Sequence, residues 1–237
     1  MDTFLFDLDG TLLAMNQDEF IDGYFKGVAD KILPFGIDSK TMIGVIWEGT
    51  NAMIKNDGTM YNCVRFWQRA TDILGERIRE LEDVFFDYYK NEFQNMKSST
   101  KLNPLAKVCI DILKAKGYRI ILATNPLFPP IATHSRIYWA GLDPSDFELI
   151  TTYDNSSYCK PSEDYFREIL SSRGLSEEQC IMVGNDTRDD MVAKNIGIDV
   201  YLVTDCLINT SGEDISLYKN GSFTELYNYI KELPDIR

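Results

Sequence analysis

Thr3-Phe4-Leu5-Phe6-Asp7-Leu8-Asp9-Gly10-Thr11 is the stretch of sequence that decides the fold. It begins with a short, mostly apolar run and then stops at two aspartates and a glycine. An apolar run of this length that ends at Gly predicts a buried β-strand leading into a loop. We therefore expect Asp7 and Asp9 at the end of that strand.

Apolar runs of strand length recur in the second half of the chain and alternate with segments of helical periodicity. The predicted strands are Tyr118 to Ala123, Phe147 to Thr151, Cys180 to Val183 and Val200 to Val203. The predicted helices are Pro104 to Lys116, Ile131 to Ala140, Pro161 to Arg173, Asp189 to Asn195 and, after a turn at Asn220-Gly221, Phe223 to Leu233. Strands alternating with helices predict an α/β fold in which helices cover both faces of a parallel sheet.

Residues 14–100 break this rhythm because their apolar residues recur at helical spacing and form no convincing strand. A long charged helix is expected from about Val84 toward Met96, and Asn56-Asp57-Gly58 is expected to be a turn between two helices. The sequence thus predicts an all-helical domain over 14–100, inserted into a core made of 1–13 and 101–237. Its aromatic residues are interpreted as the core of that domain, in preference to a surface on which a substrate stacks: Phe20, Tyr24, Phe25, Trp47, Phe66 and Trp67.

The composition excludes several classes of protein. The 237 residues include 24 Lys and Arg against 37 Asp and Glu, a net charge of −13, which disfavours binding to nucleic acid or to an anionic membrane. The 44% hydrophobic content is that of a folded protein, and the five cysteines contain no C-x-x-C pair. With no signal peptide and no apolar run long enough to span a membrane, we expect a cytoplasmic protein. The sequence does not indicate its oligomeric state.

Polar residues follow four of the five predicted strands, at the sheet edge where parallel α/β folds bind their ligands. They are Asp7 and Asp9, then Thr124 and Asn125, then Lys160, and finally Asn185, Asp186, Asp189 and Asp190. Carboxylates that cluster repel one another unless a cation neutralises them, and ligand sets made of oxygen favour a hard cation. The predicted ion is Mg²⁺. An aspartate can also act as a nucleophile, and a second one as a proton shuttle.

The order and spacing of these residues resemble the four motifs of the haloacid dehalogenase-like hydrolase superfamily. The matching segments are Asp7-Leu8-Asp9-Gly10-Thr11, Thr124, Lys160-Pro161, and Gly184-Asn185-Asp186 with Asp190. The helical insertion after the first motif resembles that family's helical cap. The resemblance implies a Rossmann-like core and a Mg²⁺-dependent phosphatase that acts on a small phosphorylated metabolite through an aspartyl-phosphate.

The resemblance also implies a role for each matching residue. Asp7 would be the nucleophile and Asp9 the general acid and base. Thr124 would bind a phosphoryl oxygen, and Lys160 would hold Asp7 and the phosphate together. The substrate-binding residues implied are Leu8, Asp9, Thr124, Asn125 and Lys160. Mg²⁺ would be bound by the Asp7 side chain, the Asp9 backbone carbonyl and an acid of the fourth motif.

The fourth motif departs from the usual family pattern, in which Asp directly follows the glycine, because Asn185 stands there. In one register Asp186 binds the metal, while Asn185 and Asp190 support the site without contacting the ion. In the other, Asn185 is the ligand. A carboxylate is the better ligand for Mg²⁺, so the sequence favours Asp186 and places Asp190 near Lys160.

Three other functions stay open at this point. A dehalogenase would need neither Asp9 nor a metal-binding acid such as Asp186. A phosphohexose mutase would share every motif and differ only in the helical insertion. A binding or scaffold protein could keep the motifs as a relict, although every motif position retains a chemically competent residue.

Overall fold

The computed structural model describes residues 1–236, so Arg237, the last residue of the predicted core, lies outside the described residues. The strands, in chain order, are β1 (Thr3–Phe6), β2 (Ala14–Met15), β3 (Thr100–Lys101), β4 (Arg119–Leu122), β5 (Leu149–Ile150), β6 (Cys180–Gly184), β7 (Asp199–Val203) and β8 (Lys219–Gly221). Six of them form one parallel sheet in the order β5-β4-β1-β6-β7-β8. The strand that begins the chain is therefore central.

The helices occupy the rest of the fold. They are α1 (Gln17–Ile32), α2 (Ser39–Ile54), α3 (Asn62–Leu74), α4 (Glu82–Lys90), α5 (Pro104–Lys116), α6 (Pro130–Trp139), α7 (Glu163–Arg173) and α8 (Phe223–Glu232). Short 3-10 helices lie at Leu33–Phe35, Glu76–Leu81, Glu92–Ser99, Pro144–Asp146, Glu177–Gln179, Met191–Ile196 and Ile215–Leu217. Within residues 1–236, every helix is too short or too polar to cross a membrane.

Alternate residues of the strands point to opposite faces of the sheet, and helices cover both faces. Phe4 and Phe6 of β1 pack in the cluster that includes α5 and α8, whereas Leu5 packs in the cluster that includes α7. Burying a phenylalanine side chain is worth about 1.5–3 kcal/mol relative to leaving it exposed. The α/β fold with helices on both faces is thus confirmed, and its central strand is held from both sides.

Two expectations about strands are wrong. Residues 219–221 form β8, which pairs with β7 at the edge of the sheet, although a turn was expected at Asn220-Gly221. The helical insertion was expected to lack strands, yet Ala14 pairs with Lys101 and Met15 with Thr100 in an antiparallel ladder. Strands of two or three residues carry too little periodicity to be visible in a sequence.

Two helices also differ from expectation. The predicted helix toward Met96 breaks at Asn91, whose side chain amide donates to the backbone oxygen (3.1 Å) and the carboxylate (2.8 Å) of Asp87. Asparagine competes in this way with helical hydrogen bonding, and the chain continues as a 3-10 helix over Glu92–Ser99. The predicted helix from Asp189 is a 3-10 helix over Met191–Ile196.

The helical insertion is joined to the core through Asn62, at the start of α3. The Asn62 backbone N–H donates to the carbonyl of Ser156 (2.9 Å), and its side chain donates to the carbonyl of Tyr158 (3.2 Å). The Asn62 amide oxygen accepts from Asn56 (2.9 Å). Asn62 is fully buried, so water does not compete for these hydrogen bonds. They fix the turn between α2 and α3 against the core.

We expect Asn62→Ala to destabilise the protein by about 1–3 kcal/mol, because it leaves buried carbonyl and amide groups without partners. Urea unfolding followed by circular dichroism measures this loss. Asn51→Ala, at an exposed position of α2, is the matched control and should change stability by less than about 0.5 kcal/mol. Equal effects of the two substitutions would contradict a joint at Asn62.

Candidate active site

The site lies where β4, β1 and β6 end side by side. Phe6 is in register with Leu122 of β4 and Val183 of β6, so the residues after these three strands emerge together. Asp7 follows β1, Thr124 follows β4 and Asn185 follows β6. Each of the three is buried, which places a carboxylate, a hydroxyl and an amide at one edge of the sheet.

Lys160 is the cation at the centre of this site. Its Nζ lies 2.9 Å from Oδ1 of Asp7 and 2.6 Å from Oδ1 of Asp190, and its side chain is 1% exposed. A buried ammonium is tolerated only when it is paired and hydrogen-bonded, and two carboxylates meet that need here. The sequence expectation that Lys160 and Asp190 lie near each other agrees with this geometry.

Asp190 connects Lys160 to the loop after β6. Its second oxygen, Oδ2, accepts hydrogen bonds from the backbone N–H groups of Asn185 and Asp186, at 3.0 Å each. A Cβ atom at Gly184 would clash with the Asp190 carboxylate, so the glycine of this motif leaves room for that contact. Both oxygens of Asp190 are therefore engaged in holding the loop against Lys160.

The loop presents Asn185, rather than Asp186, toward Asp7. Thr11 Oγ1 lies 2.9 Å from Oδ1 of Asn185 and 3.3 Å from Oδ2 of Asp7. The Asp186 carboxylate closes its own turn instead, since its Oδ1 accepts from the backbone N–H groups of Arg188 (2.8 Å) and Asp189 (3.1 Å). The geometry thus favours the register in which residue 185 faces the site.

Gly10 allows the side chain of Asn185 to lie close to the loop after β1. It has a φ of +85°, in the left-handed region that side chains avoid, and a Cβ at this position would clash with the Asn185 amide. The glycine that follows Asp9 therefore lets the loop after β1 approach the loop after β6 closely.

Asn125 ties three loops together. Its amide oxygen accepts from the backbone N–H of Lys160 (3.3 Å), and its amide nitrogen donates to Oδ2 of Asp189 (3.2 Å). Neighbouring Thr124 is fixed through its backbone oxygen, which accepts from the hydroxyls of Thr151 (2.6 Å) and Tyr165 (2.9 Å).

Leu8, which the resemblance implied as a substrate-binding residue, is fully buried in the hydrophobic core. Its backbone carbonyl accepts from the backbone N–H groups of Thr11 (3.2 Å) and Leu13 (2.8 Å). The Leu8 side chain therefore belongs to the core, and its carbonyl holds the turn that follows β1.

Arg136, on α6, is a residue that the sequence interpretation missed. Its side chain is 1% exposed. The guanidinium forms an ion pair with Oδ2 of Asp9 and lies over the ring of Phe128, 4.6 Å from the ring centroid. The other Asp9 oxygen, Oδ1, is buried and has no hydrogen-bond partner among the described residues. One carboxylate oxygen is thus held by Arg136, and the other is left for a ligand.

The only sequence signal for Arg136 is its register. It stands four residues from both Ala132 and Ala140, so it occupies the apolar face of the predicted helix. An arginine on such a face indicates a buried ion pair, but its partner lies 127 residues away in the sequence.

The site has more negative than positive side chains. Its carboxylates are Asp7, Asp9, Asp186, Asp189 and Asp190, and its cations are Lys160 and Arg136. Burial raises the pKa of Asp7 to about 7, although the charge of Lys160 opposes this shift. Burial alone would lower the pKa of Lys160, but the carboxylates of Asp190 and Asp7 raise it above its ordinary value. Lys160 therefore stays protonated.

Three of the other carboxylates, those of Asp9, Asp186 and Asp189, also resist ionisation. Burial raises the pKa of Asp189 to about 6 and holds those of Asp9 and Asp186 above their ordinary values. A bound divalent cation would relieve this excess of negative charge, so the donor set fits one. No group of three His, Cys, Asp or Glu side chains in residues 1–236 is arranged to hold a metal. A cation here would need amide or backbone oxygens as well.

Comparison with known proteins agrees with this arrangement. A family model for haloacid dehalogenase-like hydrolases matches residues 1–197. The chain belongs to this family. The motifs at the ends of β1, β4 and β6 are thus those of a haloacid dehalogenase-like hydrolase, and the resemblance seen in the sequence is confirmed.

Curated relatives of this hydrolase cover most of its length. It is 25% identical to the pyrophosphatase PpaX of Bacillus velezensis over 205 residues, which are 81% of this chain and 78% of the relative. It is 25% identical to a phosphoglycolate phosphatase of Agrobacterium fabrum over 200 residues, 84% of this chain and 79% of the relative. A phosphatase structure from Thermococcus onnurineus shares the fold at a TM-score of 0.60, with 18% identity and full coverage of both chains.

We expect Arg136→Met to lower kcat about 100-fold in hydrolysis of p-nitrophenyl phosphate while KM changes less, because Asp9 loses the group that orients it. Arg136→Lys should restore part of kcat. Arg167→Met, on the exposed surface of α7, is the control and should leave kcat unchanged. A fall in melting temperature with unchanged kcat would show that Arg136 acts on stability alone.

Proposed function

We propose that this hydrolase is a phosphatase that hydrolyses small phosphate monoesters through an aspartyl-phosphate formed on Asp7. The observation that carries the proposal is the buried ion pair between Lys160 and Asp7. A second aspartate, Asp9, follows Asp7 by two residues. A paired carboxylate at a strand end is a positioned nucleophile, and the adjacent ammonium can balance an arriving phosphoryl group. The pyrophosphatase and phosphoglycolate phosphatase among its relatives support the same class of reaction.

The first half-reaction transfers the phosphoryl group to the protein. A carboxylate oxygen of Asp7 forms a bond to phosphorus while the bond between phosphorus and the ester oxygen breaks. Asp9 supplies a proton to the departing oxygen, so the leaving group departs as a neutral alcohol or phenol. The raised pKa of Asp9, which burial causes, favours the protonated form that this step needs. Thr124 and Lys160 would bind the phosphoryl oxygens.

The second half-reaction returns the protein to its starting state. Asp9, now deprotonated, accepts a proton from a water molecule that attacks the phosphorus of the aspartyl-phosphate. The bond between phosphorus and the Asp7 oxygen breaks, which releases inorganic phosphate and regenerates the Asp7 carboxylate. Arg136 would keep the Asp9 carboxyl group in place through both half-reactions because it binds Oδ2 of Asp9.

Mg²⁺ is the cation that the oxygen donors fit best. The Asp7 carboxylate, the Asp9 backbone carbonyl and one side chain of the loop after β6 would hold it. When bound, it supplies positive charge that offsets the phosphate and the clustered carboxylates. Between the two registers, we propose Asn185 as the third ligand, because Thr11 bridges it to Asp7 while Asp186 closes its own turn.

Purified protein should release phosphate from p-nitrophenyl phosphate in the presence of Mg²⁺ and stop when EDTA removes the metal. Asp7→Asn should lower kcat by at least about 1,000-fold because the amide cannot form the intermediate. Asp72→Asn, at an exposed position of α3, is the control and should retain full activity. Full turnover by Asp7→Asn, with an unchanged circular dichroism spectrum, would rule out Asp7 as the nucleophile.

Isothermal titration calorimetry with Mg²⁺ distinguishes the two registers. We expect Asn185→Ala to weaken Mg²⁺ binding about 10- to 100-fold, as loss of a ligand or its support commonly does, and Asp186→Ala to weaken it less than about threefold. Asn185→Asp should strengthen binding because it adds a carboxylate. The opposite ranking of the two alanine variants would assign the metal to Asp186.

A further inference from the structure

A cavity of about 470 Å³ lies between the helical insertion and the core. Asp9 lines it, as do Phe128 and Pro129 from the loop before α6. Since Asp9 is the proposed proton donor to the leaving group, the cavity begins where that group would depart. Its volume falls in the range of sites that bind small organic ligands.

The walls of this cavity are unusually aromatic. Eleven of the 21 residues that line it are Phe, Tyr or Trp. The rings pack on one another: Phe25 lies 5.1 Å from Trp47 and Tyr24 lies 5.3 Å from Phe128, measured between ring centroids. Rings held by other rings form a fixed apolar surface against which a flat group can stack.

Trp47 and Phe86 line the cavity without being buried by the protein itself. Their side chains are 47% and 57% exposed, whereas Tyr24 and Trp67 are buried in the hydrophobic core. The interpretation of these aromatic residues as core therefore holds for Tyr24 and Trp67 and not for Trp47. Covering exposed aromatic surface inside a concave site with an apolar ligand is favourable, because it removes that surface from water.

Among residues 1–236, acidic but no basic side chains line the cavity, and two of the acids pair with arginines outside the lining: Asp9 with Arg136 and Glu82 with Arg79. The ionisable residues that line it, apart from tyrosine, are Asp9, Glu82 and Asp83, and no Lys, Arg or His in residues 1–236 does so. Arg136 lies under Phe128 and its charge is paired with Asp9. An anionic leaving group would lose its hydration here and would meet no cationic side chain in the cavity lining to replace it, which is unfavourable.

We infer that the substrate is a phosphate monoester whose leaving group is uncharged and carries an aromatic ring. This inference rests on the proposed phosphatase activity. The phosphoryl group would lie at Asp7 and Lys160, and the ring would stack in the cavity beyond Asp9. The relatives named for pyrophosphate and phosphoglycolate would take anionic leaving groups, so this chain differs from them in substrate class.

The direct test is phosphate release from a matched pair, phenyl phosphate and 4-carboxyphenyl phosphate. We expect kcat/KM to be at least about tenfold higher for phenyl phosphate, because only the carboxylate differs. The carboxylate makes its phenol the better leaving group, so intrinsic reactivity favours the opposite order. 1-Naphthyl phosphate should exceed both. Equal or faster turnover of 4-carboxyphenyl phosphate, phosphoglycolate or pyrophosphate would overturn the inference.

Variants of the cavity wall test the same point. Trp47→Ala should raise KM for 1-naphthyl phosphate about tenfold, whereas Phe35→Ala, an exposed aromatic outside the cavity, should not. Thr50→Lys places a cation in the wall and should raise kcat/KM for 4-carboxyphenyl phosphate relative to phenyl phosphate about tenfold. If Trp47→Ala and Phe35→Ala behave alike, the ring does not bind in this cavity.

A binding measurement separates this inference from the proposed reaction. If no ester is hydrolysed, the phosphatase proposal fails, and calorimetry with two inert phosphonates still tests the cavity. 1-Naphthylmethylphosphonate should bind at least about tenfold more tightly than phosphonoacetate, which carries a carboxylate in place of the ring. The reverse order would overturn the inference even if the protein hydrolyses esters.

Discussion

The buried ammonium of Lys160 is the interaction on which the rest of the site depends. It holds the carboxylate after β1 with one contact and, through Asp190, the loop after β6 with another. Removing a buried charge from such an arrangement leaves the others uncompensated, which commonly costs about 3–5 kcal/mol. The positions of Asp7, Asn185 and Asp186 are thus set by one side chain from a third loop.

Two glycines leave room for the close contacts between these loops. Gly184 leaves space for the Asp190 carboxylate, and Gly10 leaves space for the Asn185 amide. Each motif therefore combines a reactive group with a residue that lets the neighbouring loop approach. The same contacts both stabilise the site and position its side chains.

The core and the motif residues were predictable because their signals are local. Apolar runs indicated β1, β4, β6 and β7, and Asp7 and Lys160 stand beside recognisable strand or helix ends. Asp190 was expected near Lys160 as part of the register in which Asp186 binds the metal, and the contact is present. What escaped prediction has no local signal. Arg136 finds its partner 127 residues away, and the short edge strand β8 is defined only by pairing with β7.

The choice between Asn185 and Asp186 shows a further limit of sequence reasoning. Ligand chemistry alone favoured the carboxylate, since Mg²⁺ prefers it to an amide. The structure adds direction: backbone N–H groups two and three residues later bind the Asp186 side chain, and Thr11 binds that of Asn185. The direction in which a side chain points depends on the fold of its loop. The six consecutive polar or charged residues from Asn185 to Asp190 give no periodic signal for that direction.

The small ladder between β2 and β3 has a consequence for how such a protein can change over time. Ala14 pairs with Lys101 and Met15 with Thr100, so the two ends of the segment that contains α1 to α4 already meet. A segment with joined ends can be lengthened, shortened or replaced without moving the sheet, because the closure entropy of a loop grows only slowly with its length. The residues that α1 to α4 contribute to the cavity can therefore diverge while Asp7, Thr124 and Asn185 at the strand ends stay in place.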